Sequence, residues 1–328
     1  MKSILYLSAL LLIVSFILTW VTKRISLKNR ILDVPNERSS HSIPTPRGGG
    51  LAIVITWYIG ITVMFIMGTI SKNLYFALMS GILLAVISII DDVIDVRPSI
   101  RIIAQIITVI LAFFFLNEIQ PILLFEKVSI PSIILYPVVV VGMVWFINLY
   151  NFLDGIDGYA SIEAIAIASA FYLFTGQGIS FLLIAAVFGF LIWNWPKAKI
   201  FMGDVGSTQL GFIIVVLGIY FHNEKSLSII NWLILTSPFW FDATLTLYNR
   251  WRNKERLSQA HRKHLYQRLV QSGFSHLKVD ILLTLVNLVL IVLVFIGIKH
   301  SMLQIPILII TLIGFFTIAI YVDKRKSF

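Results

Sequence analysis

The chain has 328 residues, 58% hydrophobic and only 13% charged, with a mean hydropathy of +0.92; a soluble domain carries roughly a quarter of its residues charged. It has no Cys, which excludes disulfides, thiolate metal sites and Cys nucleophiles and leaves ligand chemistry to Asp, Glu, His, Asn, Lys and Arg. The net charge of +10 lies in short segments between apolar runs, which points to a bilayer and not to nucleic acid as the partner.

Eleven apolar runs reach spanning length, near 3–21, 50–69, 74–90, 100–117, 131–150, 159–175, 179–195, 208–221, 227–247, 277–298 and 302–321. The predicted class is an all-α polytopic integral membrane protein of about 11 transmembrane helices, one transmembrane catalytic domain over 1–328. The first run lacks a small-residue cleavage site and is followed by Lys23 and Arg24, so it is expected to persist as a span. An odd number of spans puts the termini on opposite sides. With the N-terminus outside, 21 of the 26 Lys and Arg, including every Arg, fall inside, which predicts N-out and C-in. Every Asp falls on or near that inner side too, a clustering the charge rule does not require. The chemistry is expected there, in five segments near 22–49, 91–99, 148–160, 194–207 and 248–276.

The first segment contains DVPNERSSHSIPTPRGGG, Asp33 to Gly50, whose Pro and Gly rule out continued helix. Gly48–Gly50 would let backbone N–H groups approach an anion at the next helix start; a plain re-entrant turn is the alternative. In the second, DDVIDVRPSIR, the adjacent Asp91 and Asp92 repel unless solvated, protonated or paired, with Arg97 and Arg101 as nearby counter-charges.

FINLYNFLDGIDGYA, Phe146 to Ala160, places Asn148, Asn151, Asp154 and Asp157 at three-residue steps. Asn148 and Asn151 share a helix face, and a break at Gly155 or Gly158 would let all four converge. Capping of the next helix by Asp157 or Ser161 explains one of these residues, not four. The fourth segment, NWPKAKIFMGDVGS from Asn194 to Ser207, exposes Asp204 in a Gly-flanked turn with Lys197 and Lys199 near it. The fifth, Tyr248 to Leu269, sets His261 and His264 one turn apart among seven Lys and Arg. That suits polyanionic phosphate better than a transition metal; contact with anionic lipid is the alternative.

Carboxylates and amides without Cys suit a hard cation such as Mg²⁺, which keeps waters and takes one or two carboxylates plus substrate phosphates. Basic side chains around it would offset charge on a phosphoryl group in transfer. At a membrane surface the residues predict Mg²⁺-dependent phosphoryl transfer between a soluble phosphorylated donor and a lipid.

The order N-x-x-N-F-L-D-G-I-D-G, the Asp91-Asp92 pair and F-M-G-D-V-G-S resembles the polyprenyl-phosphate N-acetylhexosamine-1-phosphate transferases (glycosyltransferase family 4) over essentially the whole chain. The resemblance implies transfer of N-acetylhexosamine-1-phosphate from a UDP-N-acetylhexosamine to undecaprenyl phosphate, releasing UMP, with Mg²⁺ required and Mn²⁺ as a substitute. DVPNERSSHSIPTPRGGG and HRKHLYQRL are similar to the branch that initiates O-antigen and related surface polysaccharides. The lipid I-forming phospho-MurNAc-pentapeptide transferase is the alternative within the family. An ion-coupled transporter is the alternative outside it, disfavoured because the carboxylates gather at one face.

Carried over by position, Asp204 matches the Mg²⁺ ligand, and Asp91 and Asp92 the pair near metal and lipid phosphate. A phosphate monoester is largely anionic at pH 7, so the pair need only orient it. Asp154 matches a catalytic-centre Asp, and Asp157 the one facing uracil; Asn194 and Phe201 match nucleobase-pocket residues. His261 and His264 are expected at phosphate, with Asn148, Asn151 and Arg47 supporting substrate. The resemblance places the enzyme in the bacterial inner membrane, its site on the cytoplasmic face; a homodimer is left open.

Overall fold

The computed structural model describes residues 2–35, 43–94, 96–117, 119–124, 128–130, 132–257, 259 and 261–328. The 36–42 part of the first loop, and Asp95 of the second, lie outside the described residues.

Apolar runs become helices because only a helix satisfies its own backbone in lipid. In chain order they are α1 (Lys2–Lys28), α2 (Gly50–Ile66), α3 (Lys72–Met79), α4 (Gly81–Ile94), α5 (Pro98–Leu116), α6 (Ser132–Phe152) and α7 (Tyr159–Thr175). Then follow α8 (Ile179–Asn194), α9 (Asp204–Asn223), α10 (Ile229–Leu235), α11 (Ser237–Arg252), α12 (Leu265–Gln271), α13 (His276–Lys299) and α14 (Gln304–Arg325). Among the described residues the strands are two short antiparallel pairs, Leu32–Asp33 with Thr45–Pro46 and Ile122–Leu124 with Val128–Ile130.

Among the described residues, seven helical segments are long and apolar enough to cross a membrane, α3 and α4 running on as one of them. The helices α2, α7 and α8 are apolar but shorter. The run at 227–247 is divided: α10 ends at Leu235 and α11 restarts with Pro238 in its first turn. A ring without N–H starts a helix readily but cannot sit in its interior.

The central helix is α9, with all but four of its twenty residues buried, packed against α2, α4, α6 and α7. By contrast, α13 exposes Ile281, Leu285, Leu288, Val289 and Val292 along one side. An apolar face of that length belongs in lipid, and the protein is a multi-pass membrane protein.

The approach of α2 to α9 fixes the site. A Cβ on Gly50 would stand 2.4 Å from Gly206 Cα, and one on Gly206 2.3 Å from Met202 Cγ. Gly50→Ala is therefore expected to push the helix starts apart and destabilise the protein by about 1–3 kcal/mol. A fall of several degrees in the apparent melting temperature in detergent checks this, and an unchanged melt would show that the contact yields.

Candidate active site

The loops before α2 and α9 are zipped together. Phe201 N–H donates to Pro46 O (2.8 Å), Gly49 N–H to Phe201 O (2.9 Å) and Gly50 N–H to Met202 O (2.8 Å). Two of the glycine N–H groups expected to meet an anion are thus committed to backbone carbonyls. The zipper instead sets Arg47 beside Asp204, the first residue of α9, where the helix dipole favours a carboxylate.

An ion-pair network grows from that contact. Arg47 Nη2 lies 2.6 Å from Asp92 Oδ1 and 3.3 Å from Asp204 Oδ1. Arg101 Nη1 lies 2.6 Å from Asp91 Oδ2 and 3.4 Å from Asp204 Oδ2, while Val96 N–H donates to Asp91 Oδ1 at 2.8 Å. Asp204 is flanked by a guanidinium on each side, and Asp91 and Asp92 point to different ones. Sequence proximity suggested Arg97 as a counter-charge, but the arginine on Asp92 is Arg47, and Arg97 is exposed before α5. Lys199, expected near Asp204, instead lies over the Trp193 ring at 5.5 Å.

The segment after α6 breaks as its glycines suggest, yet its four polar residues do not converge. Gly158 caps α7 at φ +77°, a backbone neither Asp157 nor Ser161 supplies. Asn148 exchanges amide hydrogen bonds with Gln105 (2.7 and 3.2 Å), and Asn151 Oδ1 accepts from Ser207 Oγ at 2.6 Å. Asp157 turns the other way, accepting from Ala198 N–H (3.1 Å) and lying 3.1 Å from His276 Nδ1. Asn194 clips the same two loops: its Oδ1 accepts from Gly158 N–H (2.9 Å) and its Nδ2 donates to Ile200 O (3.0 Å). Its side chain is buried behind them, whereas Phe201 is half-buried.

Asp154 is half-buried in the loop that follows α6. Burial, then the charge of Asp204, pushes its carboxyl up from 3.8 to about 7, Arg47 opposing. The folded protein therefore holds a proton there that the unfolded chain releases above its ordinary carboxylate pKa. In EDTA, stability should fall as pH rises from about 4 to about 7 and level off above. Melting of detergent-solubilised protein across that range checks the sign, and Asp154→Asn should flatten the slope.

His261 and His264 lie 4.8 Å apart between ring centroids, their planes tilted by 42°, ahead of α12. Burial, then His264 and Arg250, lowers His261 to about 3, so at neutral pH it offers a hydrogen bond and no charge. His264 is buried, with Nδ1 3.4 Å from Asp242 Oδ1 on α11.

A cleft of about 430 Å³ brings much of this together. Arg101, Asn148, Asn151, Asp204, His261 and His264 line its polar part. Leu84, Ile87, Ile102, Phe152, Leu247 and Leu257, from α4, α5, α6, α11 and the following loop, form apolar walls. Asp157, Asn194 and Phe201 do not line it; Asp157 and Asn194 instead tie the loop before α7 to the loop before α9. Sequence reasoning did not single out Gln105, Asp242 or His276. An Asp inside an apolar run, as at 242, is itself a signal of function.

A carboxylate held between two arginines, with the uncharged His261 imidazole and His264 in the same cleft and apolar walls leading away, can hold a phosphate whose substituent is greasy. Asp204 repels both Asp92 and Asp154 through space, and repulsion among carboxylates is the condition that a hard cation relieves. Among the described residues no three His, Asp or Glu stand ready as a cage. The set thus fits an ion that draws the rest of its shell from water and phosphate.

Residues 73–222 match the family model described as Glycosyl transferase family 4. The chain is 30% identical over 279 residues, 81% of its length and 76% of the other's, to a probable undecaprenyl-phosphate N-acetylglucosaminyl 1-phosphate transferase of Bacillus subtilis (strain 168). It is 31% identical over 212 residues to the undecaprenyl-phosphate alpha-N-acetylglucosaminyl 1-phosphate transferase of Thermotoga maritima, covering 64% of this chain and 63% of that one. Against a phospho-N-acetylmuramoyl-pentapeptide-transferase of Lactococcus lactis subsp. cremoris the identity is 28% over 240 residues, 66% of this chain and 71% of that one.

Proposed function

We propose, from the premise that the chain belongs to glycosyl transferase family 4, that it transfers N-acetylhexosamine-1-phosphate from a UDP-sugar to undecaprenyl phosphate. Matches of 30% over 81% of the chain and 31% over 64% are to undecaprenyl-phosphate N-acetylglucosaminyl 1-phosphate transferases, whereas a 30% match to a phospho-N-acetylmuramoyl-pentapeptide-transferase covers 58% of it; the longer coverage favours UDP-N-acetylglucosamine as donor and the polysaccharide-initiating branch over lipid I formation. The observation that carries the reading is the cleft, charged around Asp204 and apolar along α4, α5 and α11. The prenyl chain lies along the apolar walls, and its phosphate reaches Arg101 and the histidines.

The lipid phosphate, already largely anionic, needs orientation more than a base. One of its oxygens attacks the β-phosphorus of the donor; that P–O bond forms as the bridge to the α-phosphate breaks, and UMP leaves with the electron pair. Arg101 and Arg47 draw charge from the phosphates, and Asp91 and Asp92 aim those arginines. His261 and His264 hydrogen-bond the phosphate from the opposite wall. Asp157, Asn194 and Phe201 hold the nucleoside end, Asn194 by fixing the loop that carries Asp157. Asp204, with Asp154 and Asp92 close by, would hold Mg²⁺, which would supply charge neutralisation at the diphosphate.

The site draws on residues from Arg47 to His276, so 1–328 acts as one catalytic domain. The bias of Lys and Arg supports a site on the cytoplasmic face, and the bacterial relatives support an inner membrane as its location. Purified protein given undecaprenyl phosphate and UDP-N-acetylglucosamine should form lipid-linked product and UMP, and lose both in EDTA. Turnover of UDP-MurNAc-pentapeptide alone would move the assignment to the lipid I branch, and turnover of no donor by folded protein would refute it.

A further inference from the structure

We propose that the inner end of α1 and the loop after α8 bind an anionic phospholipid, its headgroup phosphate held by Lys23, Arg24 and Lys199 beside Trp20 and Trp193. The last turn of α8 brings cations from distant parts of the chain to one ring: Lys23 Nζ lies 5.1 Å and Lys199 Nζ 5.5 Å from the centroid of Trp193. The indole is itself fixed, since its Nε1–H donates to Phe16 O on α1 at 3.2 Å. Lys199 N–H donates to Trp193 O at 2.8 Å, which turns the loop back toward the ring. Arg24 lies over the Trp20 ring at 5.4 Å, one turn along α1. Among the described residues none of these three cations has an ion-pair partner. Like charges gathered without a counter-ion repel one another, and an anion relieves them.

The surroundings select a lipid as the source of that anion. Leu10, Ile13, Ile17 and Trp20 recur on α1 at alternating three- and four-residue steps, all exposed, and Arg24 continues the series. An apolar stripe that ends in an aromatic ring and then a cation follows the order of tail, boundary and headgroup in a leaflet. With the N-terminus outside, as the charge bias supports, the stripe runs down to the cytoplasmic leaflet, whose anionic surface attracts basic side chains. Neither α1 nor α8 contributes a lining residue to the catalytic cleft, so the site is separate from it. A soluble anion would use the cations alone; a lipid uses the stripe as well.

Native mass spectrometry of the purified full chain, given phosphatidylglycerol or phosphatidylcholine in mixed micelles, tests the site. Wild type should retain phosphatidylglycerol in preference to phosphatidylcholine. Lys23→Gln combined with Lys199→Gln should weaken that retention by about 10–30-fold, the worth of two charges at a membrane surface. Neither lysine is buried, so the melt should not change. Lys199→Gln alone should lose about 5-fold and keeps the test open should the double variant fold poorly. Lys324→Gln combined with Lys326→Gln, two exposed lysines at the end of α14, removes the same charge elsewhere and should leave retention within about 2-fold of wild type. No preference for phosphatidylglycerol in wild type, or an equal loss in the α14 pair, overturns the proposal. So does an inorganic phosphate adduct that disappears in the double variant while phosphatidylglycerol is still retained, which makes a soluble anion the occupant. A two-chain mass that the double variant loses, with no lipid retained, makes a second copy the occupant and overturns it too.

Discussion

Asp204→Asn is expected to lower turnover by about 10³-fold or more while leaving the protein folded. The side chain is a quarter exposed, and the helix start that carries it is held by backbone hydrogen bonds from Gly49 and Gly50, which the substitution leaves alone. Arg47 and Arg101 keep Asp92 and Asp91 as partners at 2.6 Å, so neither cation is stranded. The change therefore removes one negative charge where the two arginines meet and little else. A melting curve and elution profile like wild type, with Mg²⁺-dependent product lost, is the expected pair of results. Retained Mg²⁺-dependent activity in the folded variant would exclude Asp204 as the metal ligand.

Arg101→Ala is expected to raise KM for undecaprenyl phosphate by about 10–100-fold, the worth of one charged hydrogen bond to phosphate. Arg101 lines the cleft, and its guanidinium reaches both Asp91 and Asp204. Its removal also leaves those carboxylates facing each other, so kcat should fall with the loss of alignment. Lys at the same position restores charge without the planar fork and should recover only part of the affinity. Arg97→Ala, four residues away and exposed, should be neutral. Equal effects at 97 and 101 would mean that general surface charge, not a defined contact, draws in the lipid.

Much of this was legible in the sequence because apolar runs in a membrane have one way to satisfy their backbone. The breaks inside runs were harder: Pro238 marks the α10–α11 division, whereas nothing as strong marks Ser80 between α3 and α4. The residue types at the site were legible too, since paired acids and Gly-flanked Asp are conspicuous in a chain this apolar. Their partners were not, because they are set by loop closures over long sequence distances. Asp92 meets Arg47 and not Arg97 because α2 and α9 touch at Gly50 and Gly206. Asn194 sits behind a loop because Gly158 N–H and Ile200 O take both ends of its amide. Gly155 proved to be a matter of space: a Cβ there would stand 2.1 Å from the Tyr266 hydroxyl. Asp242 was passed over inside a hydrophobic run, although a lone acid in such a run is what marks buried chemistry.

The central claim is that the β-phosphate of the donor travels with the sugar. Purified protein, undecaprenyl phosphate and UDP-N-acetylglucosamine labelled at the β-phosphate would be incubated with Mg²⁺, and lipid and water phases separated. The label is expected in the lipid phase and unlabelled UMP in the aqueous phase. Label remaining in the aqueous phase as UDP, with unlabelled sugar on the lipid, would mean simple glycosyl transfer and would contradict it.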